Sequence, residues 1–138
     1  MIRRAGPEDM DAVLEIRRVV FIVGQNVPEE LERDGRDGDA IHLIAFHEDD
    51  PVGTARLLID AGRGKIGRVA VLESVRGLGF GKALMAAAVE VLREEGVAEA
   101  RLAAQTHALG FYEALGFEAF GPEFMDAGIP HRDMKMVL

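Results

Sequence analysis

Two hydrophobic rhythms take turns along this chain, and each change of rhythm marks an element. Met1 to Arg4 reads as a short strand, and Gly6-Pro7-Glu8-Asp9 as a helix start with proline early and carboxylates in the first turn. Val13, Ile16 and Val20, with Leu14 and Phe21 alongside, form an apolar stripe at helical spacing that Gly24 ends. Val27 to Arg33 reads as a second short helix with Pro28 near its start, followed by the polar loop DGRDGDA. Ala40 to Phe46 and Val52 to Ile59 are strand-like runs separated by the turn cluster His47-Glu48-Asp49-Asp50-Pro51. A third run, Lys65 to Leu72, follows the glycine-bearing turn Asp60 to Gly64, so consecutive antiparallel strands are expected.

The rhythm then lengthens. Leu84, Ala87, Ala88, Val91 and Leu92 lie at i, i+3, i+4, i+7 and i+8, the stripe of a half-buried helix that begins near Gly79 and is closed by Gly96. Ala98 to Ala104 gives another strand and Leu109 to Leu115 a short helix ended by Gly116. Phe117 to Phe120 reads as a strand fragment, and Met134 to Leu138 as a closing strand. Strand, helix and strand from Lys65 to Ala104 make a βαβ unit, which predicts that its two strands lie parallel. The expectation is an α/β (α+β) fold with a mixed, mostly antiparallel sheet and flanking helices. At 138 residues and 49% hydrophobic, with no internal repeat, one domain over 1–138 is expected.

Composition narrows the chemistry. The chain has no cysteine, which excludes disulfides, thiolate-bound zinc and a thiol nucleophile. His42, His47, His107 and His131 show neither HxxxH nor HExxH spacing, so no metal is expected. A net charge of −8 argues against a nucleic-acid partner, whose phosphates call for a basic face. No apolar run approaches 18 residues and Met1 to Asp11 is already charged, so no membrane association and a cytoplasmic location are expected.

Between the third strand and the long helix stand Arg76, Gly77, Leu78, Gly79, Phe80, Gly81 and Lys82. A helix start leaves backbone N–H groups unpaired, and glycines let an anion reach them without a Cβ in the way. Arg76 and Lys82 add full positive charge. A Walker loop is excluded because Arg76 occupies its first glycine position and Ala83 follows Lys82; the dinucleotide fingerprint fails at Lys82 and at Leu84. The pattern [RQ]xxGx[GA] fits, read as Arg76, Gly79 and Gly81, preceded by GRVAV and followed by KALMAAAVEVL.

This loop resembles the pyrophosphate loop of the GNAT superfamily of N-acetyltransferases, and the order of elements is that family's over nearly the whole chain. The resemblance implies a GNAT fold with a parallel βαβ coenzyme-binding unit and acetyl-CoA as cosubstrate. It implies diphosphate contacts along Arg76 to Lys82, and pantetheine contacts along Val69, Ala70 and Val71, where a splayed strand pairs with an added amide chain. A second family segment, NxxAxxxYxxxGF, is matched by Gln105, Ala108, Tyr112, Gly116 and Phe117, with Gln where Asn is usual. By that match Gln105, Ala108 and Tyr112 face the coenzyme, and Tyr112 is the acid that protonates the departing thiolate. A phenol, with a reference pKa near 10, keeps its proton at neutral pH where a carboxyl does not.

The acceptor amine must lose a proton before it attacks, at a cost of roughly 4 to 5 kcal/mol at pH 7 for a lysine-like amine. Many relatives carry a Glu for this purpose on the strand before the basic loop, but here that strand has no carboxylate until Glu73. Glu30, His42, Glu123 and His131 remain as candidate bases. A narrower resemblance, in residues 20–45 and in FMDAGIPHRDMKM, points to the ElaA-like or YjcF-like bacterial branch, whose recurring segments around Gln25 and His131 lie on the acceptor side. Six carboxylates among eleven residues (Glu29, Glu30, Glu32, Asp34, Asp37, Asp39) suggest a cationic acceptor near Gln25, Glu30, His42 and His131. The resulting expectation is direct acetyl transfer to a small amine in a ternary complex. The alternatives are a non-catalytic acyl-CoA-binding module, or acylation of a protein lysine or N-terminus. The superfamily also makes a homodimer possible.

Overall fold

A computed structural model describes residues 1–138. Its strands are β1 (Ile2–Arg4), β2 (Ile41–His47), β3 (Asp50–Asp60), β4 (Arg63–Val71), β5 (Glu99–Gln105), β6 (Glu118–Asp126) and β7 (Ile129–Val137). They form one sheet in the order β1-β2-β3-β4-β5-β7-β6. Only β4 and β5 are parallel, as the βαβ reading predicts; the other neighbours are antiparallel. The helices are α1 (Met10–Arg17), which continues as a π-wound segment Arg18–Val23, a single turn α2 (Glu29–Glu32), α3 (Phe80–Glu94) and α4 (Leu109–Ala114).

The period-two alternation of β3 divides its side chains between two neighbours. Ala55 and Leu57 join the main core with Leu84, Met85, Ala88 and Leu92 of α3, all nearly sealed from solvent. The backbone approaches α3 closely on this side: a Cβ at Gly53 would lie 3.0 Å from Leu84, and one at Gly64 would collide with the Leu92 methyls. Ile16 of α1 and Val20 of the π-wound segment pack with Ala70 in a separate small cluster.

Thr54 and Arg56, also on β3, are buried polar residues. Arg56 bonds Asp34 at 2.8 Å through each of two nitrogens and Asp37 at 3.1 Å. Arg17, fully sealed on α1, holds Glu32 at 2.6 and 2.7 Å and Asp37 at 2.7 Å. Arg68 donates to the carbonyls of Leu31 and Glu32. Three arginines thereby pin the polar segment after α1 against the sheet, where an apolar anchor is missing.

The largest departure from expectation lies at the C-terminal end. Phe117 to Phe120 and Met134 to Leu138 read as short pieces, whereas β6 and β7 are nine residues each and form a hairpin. Within β6, Gly121-Pro122 falls at a register shift between Phe120 and Phe124, and β6 is an edge strand, where proline costs no ladder bond. Two smaller differences stand at the other end: the stretch Arg18–Val23, inside the helix expected to end at Gly24, is π-wound, and Val27 to Arg33 contracts to α2. No helix is long and apolar enough to cross a membrane.

Candidate active site

The parallel strands β4 and β5 pair only at Arg63 to Lys65 with Glu99 to Arg101. Beyond those residues they diverge, while β5 stays paired with β7 along its whole length. A wedge therefore opens in the middle of the sheet, with an unpaired edge on β4 from Ile66 onward. A bulge opposite β3 sharpens the bend, and Arg68 sits there with φ of 49°, a left-handed conformation that an L side chain adopts only at a cost of about 1–2 kcal/mol.

One end of the wedge leads to the basic loop. A cavity of about 400 Å³ is lined there by Val71, Val75, Arg76, Gly77, Gly79, Phe80, Gly81, Lys82 and Phe111. Gly77 and Gly79 each have φ of 87°, which favours glycine, and Gly79 caps α3. The N–H groups of Gly77, Gly79, Phe80, Gly81 and Lys82 find no acceptor in the protein, whereas Leu78 donates to Val75 and Ala83 to Gly79. A Cβ built on Gly77, Gly79 or Gly81 would meet nothing within 4 Å. The loop is thus a concave set of free donors at a helix N-terminus, flanked by two exposed cations, which matches the chemistry of a diphosphate. Leu78 points elsewhere: it is exposed and does not line the cavity. Arg76 donates from Nε to the Val71 carbonyl at 3.2 Å, which leaves its other nitrogens for an anion.

The other end opens into a second cavity of about 350 Å³. Ile66 to Val69 of β4 form one wall and Leu102, Ala103 and Gln105 of β5 another; Ala108 and Tyr112 close it from the α4 side. Val69 thus borders this cavity and Val71 the first, while Ala70 turns into the small core beneath α1. Tyr112 packs edge-on against Phe111 and Phe117, its hydroxyl has no partner in the protein, and burial raises the phenol above its ordinary pKa. It therefore holds its proton at neutral pH. Gln105 lines the cavity with its amide already engaged: Nε2 donates to Gln25 at 3.2 Å and Oε1 lies 2.6 Å from His107 Nε2.

The acceptor-side candidates separate clearly. Gln25 and His131 line this cavity. Glu30, His42 and Glu123 line neither cavity. Glu30 is on the exposed side of α2 and Glu123 is exposed on the edge strand β6. His42 is buried on β2, its Nε2 lying 3.0 Å from the Asp37 carbonyl, and its Nδ1 has no partner. Arg56, its cross-strand neighbour, has an unpartnered Nε–H, so donor and acceptor face the same layer. That is the environment of a structural histidine. Half of the acidic segment's six carboxylates are likewise spent on structure, since Glu32, Asp34 and Asp37 neutralise Arg17, Arg56 and Arg68. Bonding to Arg56 holds Asp34 well below the usual carboxylate range; burial pushes Asp37 up, but its bonds to Arg17 and Arg56 outweigh that and leave it lowered.

Sequence reasoning missed Phe21, Arg68 and Asp126, all of which line the same cavity. Asp126 and Ala127 arrive there because the β6–β7 turn folds over the wedge. Asp126 makes no ion pair or hydrogen bond through its side chain, so it is a free carboxylate on that wall. The signal for Arg68 was present as the one charge inside the run IGRVAV. The signal for Asp126 was concealed with the length of the hairpin.

A seven-stranded mixed sheet wedged open beside a glycine-lined helix start belongs to one class of enzyme. Residues 9–138 match the acetyltransferase (GNAT) domain, and the chain belongs to that family, whose members transfer an acyl group from acetyl-CoA. It is 36% identical over 128 residues to a Bacillus subtilis protein called uncharacterized N-acetyltransferase YjcF, covering 92% of this chain and 91% of that one. The crystal structure of Escherichia coli ElaA superposes with a TM-score of 0.86 at 31% identity, covering 99% of both chains. An acyl-CoA N-acyltransferase from Pseudomonas aeruginosa also gives 0.86, at 30% identity, over 99% of this chain and 97% of that one. The chain is thus a GNAT-type acyltransferase of the ElaA-like and YjcF-like bacterial branch.

Proposed function

We propose that residues 1–138 act as one domain that acetylates a small cationic amine by direct transfer from acetyl-CoA in a ternary complex. The observation that carries this reading is the pair of cavities joined by the β4–β5 wedge. One offers free N–H donors and two cations of the kind that suit a diphosphate, the other holds Tyr112 and a free carboxylate, and the unpaired edge of β4 runs between them. In this reading the N–H groups of Gly77, Gly79, Phe80, Gly81 and Lys82 hold the diphosphate, with Arg76 and Lys82 adding charge. The β4 edge at Val69 to Val71 receives the pantetheine amides, with Ala108 and Gln105 opposite.

Tyr112 donates its proton to the sulfur as charge develops there, and its raised pKa favours the protonated form that this requires. Asp126 meets the ammonium of the acceptor, which takes the place that the acidic segment held in the sequence reading. With no cysteine in the chain, a covalent acyl-thiol intermediate has no residue to form on. The test is thiol release from acetyl-CoA across a panel of primary amines, with both substrates varied. Intersecting initial-rate lines with a cationic amine support the reading. Parallel lines refute the ternary complex, and thiol release indifferent to every amine refutes the acetyltransferase of small amines.

A further inference from the structure

The sequence leaves the general base open, because the strand that carries a carboxylate in many relatives has none here. His131 is fixed in the acceptor cavity in a way that selects its chemistry. Its Nδ1 lies 2.7 Å from the backbone carbonyl of Ile129, two residues earlier on β7. A carbonyl can only accept, so Nδ1 carries the hydrogen, and in the neutral ring Nε2 then holds the lone pair. The ring stacks on Phe124 of the neighbouring strand, with centroids 5.9 Å apart and planes 23° off parallel, so its orientation is held on a second side. Nε2 has no protein partner, and it is not among the sealed, unpartnered polar atoms, which are His42 Nδ1 and Arg56 Nε. The residue lines the same cavity as Tyr112.

His42 has the opposite arrangement, with Nε2 bonded and Nδ1 sealed away from any substrate. The charged and titratable groups that share the cavity with His131 are Asp126 at the end of β6, Tyr112 on α4, Glu32 from α2, and Lys65 and Arg68 from β4. His107 lies beyond Gln105, and Arg132 and Asp133 follow on β7 itself. None of them forms a hydrogen bond or ion pair with the His131 ring.

We propose that Nε2 of His131 is the general base that deprotonates the acceptor ammonium, an inference that rests on the acetyl-transfer reading above. The ring takes one proton from the ammonium, and the freed lone pair forms the C–N bond to the acyl carbon as the C–S bond breaks. Sulfur leaves with the bonding electrons and takes the Tyr112 proton. The second proton shed by the new amide nitrogen restores the phenol, and the imidazolium returns its proton to solvent. One amide, one thiol and one released proton balance the step.

The substitution His131→Asn tests this, because its amide N–H can still reach the Ile129 carbonyl while the basic lone pair is lost. Benzylamine, putrescine and L-lysine serve as acceptors, with turnover followed from pH 7 to pH 10. The expected result is a fall in kcat of about 10²-fold or more at pH 7, the scale of a positioned base. The gap should close as the amine begins to lose its own proton near its pKa of about 10, and the KM for acetyl-CoA should hold. Nitrogen NMR of the protein without substrates should show Nε2 as the bare ring nitrogen of His131. A deficit of the same size at every pH, no deficit at all, or a bare Nδ1 would overturn the assignment. Wild-type turnover of the panel tests the proposed function and the variant-to-wild-type ratio tests the base; a wild type inert to all three amines removes both.

Discussion

Replacing Gly81 by valine separates folding from coenzyme binding more cleanly than any other change in the loop. Gly81 is the second residue of α3 and, unlike Gly77 and Gly79, has no positive φ. A Cβ there meets no protein atom within 4 Å. Valine in a helix is, if anything, a few tenths of a kcal/mol better than glycine, so the protein should be as stable as before. Helical Cβ atoms lean toward the N-terminus, which aims the new methyls at the opening lined by the free N–H groups of Gly79 to Lys82. Hydrogen bonds to a charged group are worth about 1.5–3 kcal/mol each, so displacing a diphosphate from two of them costs about 3–6 kcal/mol. That corresponds to a rise in Kd for coenzyme A of about 10²- to 10⁴-fold. Titration calorimetry reads the affinity and urea unfolding reads the stability. An unchanged Kd in a folded Gly81→Val protein would refute the reasoning. Gly79→Val is the weaker experiment, since its φ of 87° would strain any side chain whether or not a ligand binds.

Tyr112→Phe should keep coenzyme affinity and lower turnover by about 10²-fold or more when chemistry limits the rate; an unchanged kcat would make the tyrosine a packing residue. Asp126→Asn should raise the KM for a cationic amine several-fold, with a larger effect at low salt because exposed charges are screened within about 8 Å at physiological ionic strength; equal KM values would leave the acceptor's charge without a partner. Arg17→Leu leaves Glu32 sealed and Asp37 partly sealed without their main cation, and should cost about 3–5 kcal/mol by urea unfolding; a loss below about 1 kcal/mol would show that the segment is not held by this pair. Asp34 and Asp37 have lowered pKa values in the fold, so their contribution is present above the unfolded Asp value near 4 and is lost as pH falls through the folded values. Stability measured from pH 6 to pH 2 should therefore drop mainly below about pH 4, and less steeply in Arg56→Gln.

The βαβ core and the glycine-rich loop at the start of α3 were legible because each depends on local sequence. A glycine at a left-handed position, a helix stripe and a strand flanked by turns are all visible within about fifteen residues. The wedge between β4 and β5 was implied only by resemblance, since its edge at Val69 to Val71 uses backbone atoms that any apolar side chain would leave in place. The wall that carries Gln25, Asp126 and His131 was hardest to read. Its parts come from the π-wound segment after α1 and from α2, and from the β6–β7 turn nearly a hundred residues later. Arg17 and Arg56 consume carboxylates that, in the sequence alone, look free to meet a substrate. His42 and His131 are equivalent letters in the sequence. Only the opposite ring nitrogens that each commits to a carbonyl, and the cavity that one of them reaches, distinguish them.

A crystal structure of the complex with coenzyme A is the sharpest test. Diphosphate oxygens should lie on the N–H groups of Gly77, Gly79, Phe80, Gly81 and Lys82, pantetheine amides along Val69 to Val71 in the wedge, and the sulfur within hydrogen-bonding reach of the Tyr112 hydroxyl, in the cavity that also holds His131 and Asp126. A coenzyme bound outside the wedge, or one whose sulfur lies away from Tyr112, would contradict that placement.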